Sequence, residues 1–368
     1  MPENSAMTHG EPDAELRTVA GYQLLRRIGE GGMSTVYLSY DVAADSPVAV
    51  KILADHLAHS REFVSRFYRE ARLSRLLSHP SLIKGLANGY DPDSAKHYLI
   101  LEYVDGPTAH TALNRLGRFP VGSAVRIGLD IAQALACMHS RSYVHRDVKP
   151  DNILIPSVGP AKLADLGLAK RLDDEAHLTA FSQGIGTSFY MSYEQALNAN
   201  LVDGRSDIFA LGATLYHLLA AEVPFAGETH EEIIRGKEDN HYRPLQERNP
   251  DVPQVLIEII DRMLARDPRA RFQSAHELCA ALEETGLATL LPRLSEGDPE
   301  SEGAVPDCGT HARTRADLAL PSSFPEPTEM ANGPRTFSSP PPLNSPPSSP
   351  ASLESPITSD VRSRSADR

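Results

Sequence analysis

One octet, HRDVKPDN from His145 to Asn152, carries a carboxylate (Asp147), an ammonium two residues later (Lys149) and a side-chain amide (Asn152). Pro150 fixes its own φ and lacks an N–H donor, so the stretch reads as loop rather than helix interior. There a carboxylate can take a proton, a cation can meet phosphate oxygens, and an amide oxygen can bind a hard metal. That set suits a phosphate-handling site. The competing reading is an ordinary charged surface turn, so other stretches must decide.

Three elements are placed to supply more groups. The strand beginning at Tyr22 runs into Ile28-Gly29-Glu30-Gly31-Gly32-Met33-Ser34-Thr35-Val36, whose glycines let backbone amides approach phosphates. Val36 to Tyr40 reads as strand, which disfavours a dinucleotide fingerprint, and no Gly-Lys-Ser/Thr follows for a Walker-type loop. VAVKIL, Val48 to Leu53, is a strand in which Val48, Val50 and Ile52 share one side and Ala49, Lys51 and Leu53 the other. A helix over Arg61 to Leu77 carries Phe63, Phe67, Leu73 and Leu77 on one stripe, with Glu70 on the same stripe. Lys51 is the partner expected for that carboxylate; Arg66, Arg69 and Arg72 are local competitors. After the octet, Ile153-Leu154-Ile155 turns at Pro156 to Pro160 and returns over Ala161 to Ala164, which brings Asp165 back beside Asp147 and Asn152.

The rest of the chain bounds the class. Its 368 residues are 41% hydrophobic with a net charge of −13, which supports a sizeable core and argues against nucleic-acid binding. Cys137, Cys279 and Cys308 show no metal or disulfide spacing, and no secretory leader opens the sequence, so a cytoplasmic setting is expected. Ile208 to Val223 is taken as the longest apolar run and is too short and polar for a membrane span. His276-Glu277 lacks the second histidine of a metalloprotease motif, Ala280 standing there. The expected organisation is a loose arm over 1–20, a sheet-rich lobe over 21–103, a mostly helical lobe over 104–287, and a disordered Ser/Pro-rich tail over 288–368.

Taken in order, the glycine loop, VAVK, helix glutamate, HRDVKPDN and Asp165-Leu166-Gly167 resemble the protein-kinase signature set, over about Tyr22 to Leu287. IGEGGMSTVY is similar to the eukaryotic-like serine/threonine kinases of bacteria. The resemblance implies a bilobal α+β fold: a small antiparallel-sheet lobe with one key helix, and a larger helical lobe. It implies ATP as donor, Mg²⁺ (or Mn²⁺) as metal, and protein serine/threonine hydroxyls as acceptors. Ile28, Gly29, Gly31, Ser34 and Val36 would cover the nucleotide, Ala49 roof the adenine, and Leu154 line the pocket. Glu102-Tyr103-Val104 would meet the adenine edge, with Leu101 behind. Lys51, held by Glu70, would hold phosphates; Asp147 would accept the substrate proton; Lys149 would neutralise the moving phosphoryl; Asn152 and Asp165 would bind metal.

Further positions follow from the same resemblance. Thr187 matches a substrate-docking threonine, Asp207 a buried support of the catalytic loop, and Arg271 the partner of Glu194. Arg146 would pair with a phosphate on the segment after Asp165, with Thr179 or Ser182 as autophosphorylation sites. Ser34 replaces a glycine, Leu166 a phenylalanine, and Ser192 a proline, the last leaving the segment's anchoring open. The alternatives are a nucleotide-binding pseudokinase scaffold and a small-molecule phosphotransferase; Lys149 speaks against the latter.

Overall fold

The computed structural model describes residues 18–171, 185–198 and 202–292. Six strands, β1 (Thr18–Val19), β2 (Tyr22–Glu30), β3 (Ser34–Asp41), β4 (Ser46–Leu53), β5 (Gly85–Asp91) and β6 (Lys96–Glu102), form an antiparallel sheet in the order β1-β2-β3-β4-β6-β5. β4 sits between β3 and β6, with Lys51 opposite Val36 on one side and Leu99 on the other. The alternation of β4 does what its sequence demands. Val48, Val50 and Ile52 join Leu24, Tyr37 and Ile100 in one apolar cluster, while Leu53 packs with Phe67, Ala71 and Leu99 in another.

A short helix α1 (Asp55–Ala58) precedes α2 (Arg61–Leu76), which lies against the sheet with Phe67, Glu70, Ala71 and Ser74 buried. That i, i+3, i+4, i+7 set is one helical face. β5 is a strand that the sequence reading does not contain. Its GLANGYD has low strand propensity, but Gly85 lies where a Cβ would collide with the Ser74 side chain, and Gly89 where one would meet the Tyr98 hydroxyl at 2.7 Å. Close packing, not propensity, selected those glycines.

The helical lobe contains α3 (Ala109–Leu116), α4 (Val121–His139), α5 (Ile185–Ser188), α6 (Tyr193–Leu197), α7 (Gly204–Ala220), α8 (His230–Glu238), α9 (Leu245–Arg248), α10 (Gln254–Met263) and α11 (Ala275–Glu284). Small pairings thread between them: β7 (Tyr143–Val144) with β10 (Lys170–Arg171), and β8 (Ile153–Leu154) with β9 (Lys162–Leu163). α4, α7 and α11 supply Ile131, Leu135, Leu215 and Leu278 to one continuous core. α3 and α8 went unread in the sequence: both are too short to show a sustained period, and tertiary contact supports them.

Two boundaries shift. β1 belongs to the sheet, with Val19 fully buried and the Ala20 amide donating to Asp91 at 3.1 Å, so Thr18 to Ala20 join the sheet-rich lobe rather than the expected arm. A two-residue strand leaves no periodic signal. At the other end, Ala288 packs on the core and the Thr289 amide donates to Gly122 O at 3.2 Å, so the chain stays on the lobe past 288. The rest of the expected tail, with Cys308, lies outside the described residues, as do Thr179 and Ser182. Among the described residues, the helix long and apolar enough to cross a membrane by composition is α4, not the run from Ile208; it is largely buried in the helical lobe.

Candidate active site

A cleft of about 580 Å³ separates sheet and helices. Its roof carries Ile28, Gly29, Gly31, Ser34, Val36 and Ala49, its back Leu101, Glu102, Tyr103 and Val104, and its floor Leu154. The roof's hairpin is closed by the Gly31 amide on Ser34 O at 2.9 Å, so Ser34 sits in the turn as its acceptor. Lys51 and Asp165 stand at the polar end. Every position expected to contact nucleotide lines this one space. Ile83, Ala164 and Thr108 line it too, without any local signal in sequence. Glu102 departs from its expected use in part: its amide donates to Lys84 O, and its carboxylate pairs with Lys162 at 3.0 Å.

At the polar end Lys51 Nζ bonds both oxygens of Glu70, at 2.7 and 2.8 Å, and reaches Asp165 at 3.5 Å. The open choice of partner for Glu70 is thereby resolved in favour of Lys51. Burial works against the Lys51 charge, but the carboxylates of Asp165 and Glu70 overcome it and raise its pKa. Lys51 in turn holds the half-exposed Asp165 carboxyl down to about 2, against the opposing effect of burial. Arg66, one turn before Glu70, instead donates through Nε to Gly167 O at 2.8 Å, tying α2 to the loop after Asp165. Asp165 adopts φ 60 and accepts from the Gly167 amide at 3.2 Å, while Leu166 is buried in the helical core. Leucine thus does the packing expected of the usual aromatic.

The octet forms the floor. Lys149 Nζ donates to both Asp147 oxygens, at 3.0 and 2.9 Å, and to Thr187 Oγ1 at 3.2 Å. Asn152 Nδ2 donates to Asp147 O at 2.8 Å and to Asp147 Oδ2 at 2.9 Å. Both amide hydrogens are engaged, which leaves Asn152 Oδ1 as a hard oxygen donor beside the ionised Asp165. These groups fit a hard divalent cation, which would supply charge neutralisation at phosphate oxygens when bound. The β8–β9 hairpin brings Asp165 here as expected, with the Ala164 amide on Asn152 O at 2.8 Å.

Support comes from below. Asp207, fully buried in the first turn of α7, accepts from the amides of His145 and Arg146 and from His139 Nε2, each at 2.8 Å. Burial pushes its pKa up, but His139 and the backbone donors hold it below the ordinary value. Arg146 has φ 71, a costly conformation for a side-chain-bearing residue, and Asp207 pins its amide together with that of His145 before it. His145 accepts the Asp147 amide on Nδ1 at 3.3 Å, so its Nε2 carries the proton given to Ala164 O at 3.1 Å. Sequence reading assigned no role to His139 or His145, and gave Arg66 only as a local competitor for Glu70. Only Arg66 left a signal, its i−4 spacing from Glu70.

A protein kinase domain model matches residues 22–282. The chain belongs to the protein kinase domain family. The kinase domain is similar to a probable serine/threonine-protein kinase of Clostridium perfringens, 36% identical over 72% of this chain and 38% of that protein. It is similar to PknB of Mycobacterium leprae, 36% identical over 71% of this chain and 42% of that one. PrkC of Bacillus subtilis is 37% identical over 71% of this chain and 40% of its own length. The chain thus spans about two fifths of the length of these curated relatives. In the kinase domain the end of the segment after Asp165 is anchored without a proline: Ser192 Oγ caps α6, and Arg271 grips Glu194 at 2.7 and 2.9 Å.

Proposed function

We propose that the chain transfers the γ-phosphoryl group of ATP to serine and threonine hydroxyls of proteins. The observation that carries this reading is Asp147, nearly buried, with its carboxylate oriented by Lys149 and Asn152 on the loop that adjoins the polar end of the cleft, where Lys51 and Asp165 stand. A carboxylate so fixed can accept the proton of an incoming hydroxyl, and Lys149, bonded also to Thr187, presents a cation where the phosphoryl must pass. The names of the relatives support protein hydroxyls as acceptors. Among the described residues Lys51, Glu70, Asp147, Lys149, Asn152 and Asp165 are all in place, and nothing there favours the pseudokinase reading.

Finer parts of the reading are regulation and setting. Autophosphorylation at Thr179 or Ser182, with Arg146 beside Asp147 as the group that senses it, is consistent with the hydroxyl-rich sequence there. The free thiols of Cys137 and Cys279, with ATP as donor, support a cytoplasmic setting. Incubation of the purified chain with γ-labelled ATP, Mg²⁺ and a generic protein substrate tests the activity. Label is expected on serine and threonine. No transfer, or equal transfer by Asp147→Asn, overturns the proposal.

A further inference from the structure

Lys237, on the inner face of α8, is 1% exposed, an unusual fate for a lysine. Its ammonium donates to Ser188 O and, at 2.6 Å, to Met191 O, and lies 5.8 Å from the ring centres of both Phe209 and Phe225. Among the described residues it makes no ion pair. An apolar side chain would fill the same space without the cost of burying a charge, so the two carbonyls are what the lysine serves. The same helix adds a second grip, His230 Nδ1 with Ser188 Oγ at 2.7 Å.

The gripped turn leads straight to the chemistry. Tyr190 and Met191 donate their amides to Thr187 O at 3.2 and 3.3 Å, and Thr187 Oγ1 accepts from Lys149, which bonds Asp147. We propose that Lys237 is a positioning residue for the acceptor protein: α8, through this buried ammonium, sets the turn from Thr187 to Met191 and thereby the approach of the hydroxyl to Asp147. The proposal rests on the kinase reading above. Burial beneath the two rings lowers the Lys237 pKa to about 7, with Glu194 opposing the shift. Either protonation state keeps at least two hydrogens, enough for both carbonyls.

Lys237→Met keeps the length and removes the donors; Lys237→Gln keeps donors on a shorter side chain. For the full chain, kcat/KM for a peptide acceptor is expected to fall about tenfold in Lys237→Met, the scale of leaving a buried carbonyl without its donor. ATP KM stays within about twofold, and Lys237→Gln recovers part of the loss. Amide exchange at Tyr190 and Met191 is expected to accelerate about tenfold, with the sheet unchanged. An active wild type with Lys237→Met equal to it on peptide overturns the Lys237 role alone. A parallel loss in peptide and ATP parameters, tracking a lower melting temperature, reduces it to a folding residue and also overturns it. An inactive wild type overturns the kinase reading, and unchanged exchange at Tyr190 and Met191 then overturns the grip by itself.

Discussion

Asp207→Asn is the sharpest test of how the fold holds the octet. The carboxylate oxygens divide the work: Oδ2 takes the His145 amide and His139, and Oδ1 takes the Arg146 amide, all at 2.8 Å. Charge-assisted bonds are worth about 1.5–3 kcal/mol each, so the two backbone bonds supply roughly 3–6 kcal/mol toward the local conformation. Against this stands about 1–2 kcal/mol for Arg146 at φ 71. An asparagine offers oxygen on one side only and turns its NH₂ toward the other backbone donor. Loss of one bond and of the charge takes the margin to about zero. Asp147, the next residue, then samples displaced positions, and kcat is expected to fall roughly 10- to 100-fold. ATP KM should stay within about threefold, because the cleft roof on β2, β3 and β4 is untouched. Steady-state phosphorylation of a peptide at saturating and limiting ATP reads both. A kcat within about twofold of wild type, or an ATP KM that rises as much as kcat falls, refutes the reasoning.

Arg271→Leu strands Glu194 and frees the carbonyls of Ala265, Arg205 and Arg266, which accept from the guanidinium at 2.7, 3.0 and 3.0 Å. Breaking such a buried pair costs about 3–5 kcal/mol, read as a melting temperature lower by roughly 10 °C; a change under about 2 °C contradicts it. The Lys237 pKa sits near 7 against 10.5 for an ordinary lysine, so between those values the unfolded chain binds the extra proton. Stability therefore rises with pH across that window, while below it both states are charged and the burial penalty is felt in full. The urea midpoint of wild type relative to Lys237→Met should climb from pH 7 to about pH 9.5; a flat difference would contradict the shift.

Much of the site was legible because the phosphoryl transfer proposed for it demands particular groups in particular order. Lys51, Glu70, Asp147, Lys149, Asn152 and Asp165 each occupy a stretch whose period or punctuation also announces its element. The alternation of VAVKIL put Ala49 and Lys51 on the cleft face before any contact was known. The turn Pro156 to Pro160 announced the hairpin that carries Asp165. Where packing rather than pattern decides, the sequence is silent. The glycines of β5 read as loop until the Ser74 and Tyr98 side chains account for them.

The chain's own order of residues thus determined the chemistry and the two-lobed class, since catalytic group types and hydrophobic periods are local properties. Tertiary structure alone decided which donors meet which acceptors across the chain. Glu70 had four cations within reach on paper, and the sheet's position over α2 chose Lys51 at 2.7 Å while sending Arg66 to Gly167. Lys237 looks like any charged helix residue in one dimension. It becomes part of the acceptor site only because α8 packs against Phe209 and Phe225 and forces its ammonium onto two backbone carbonyls. A buried charge must find its partners in space, and sequence separation carries no information about that.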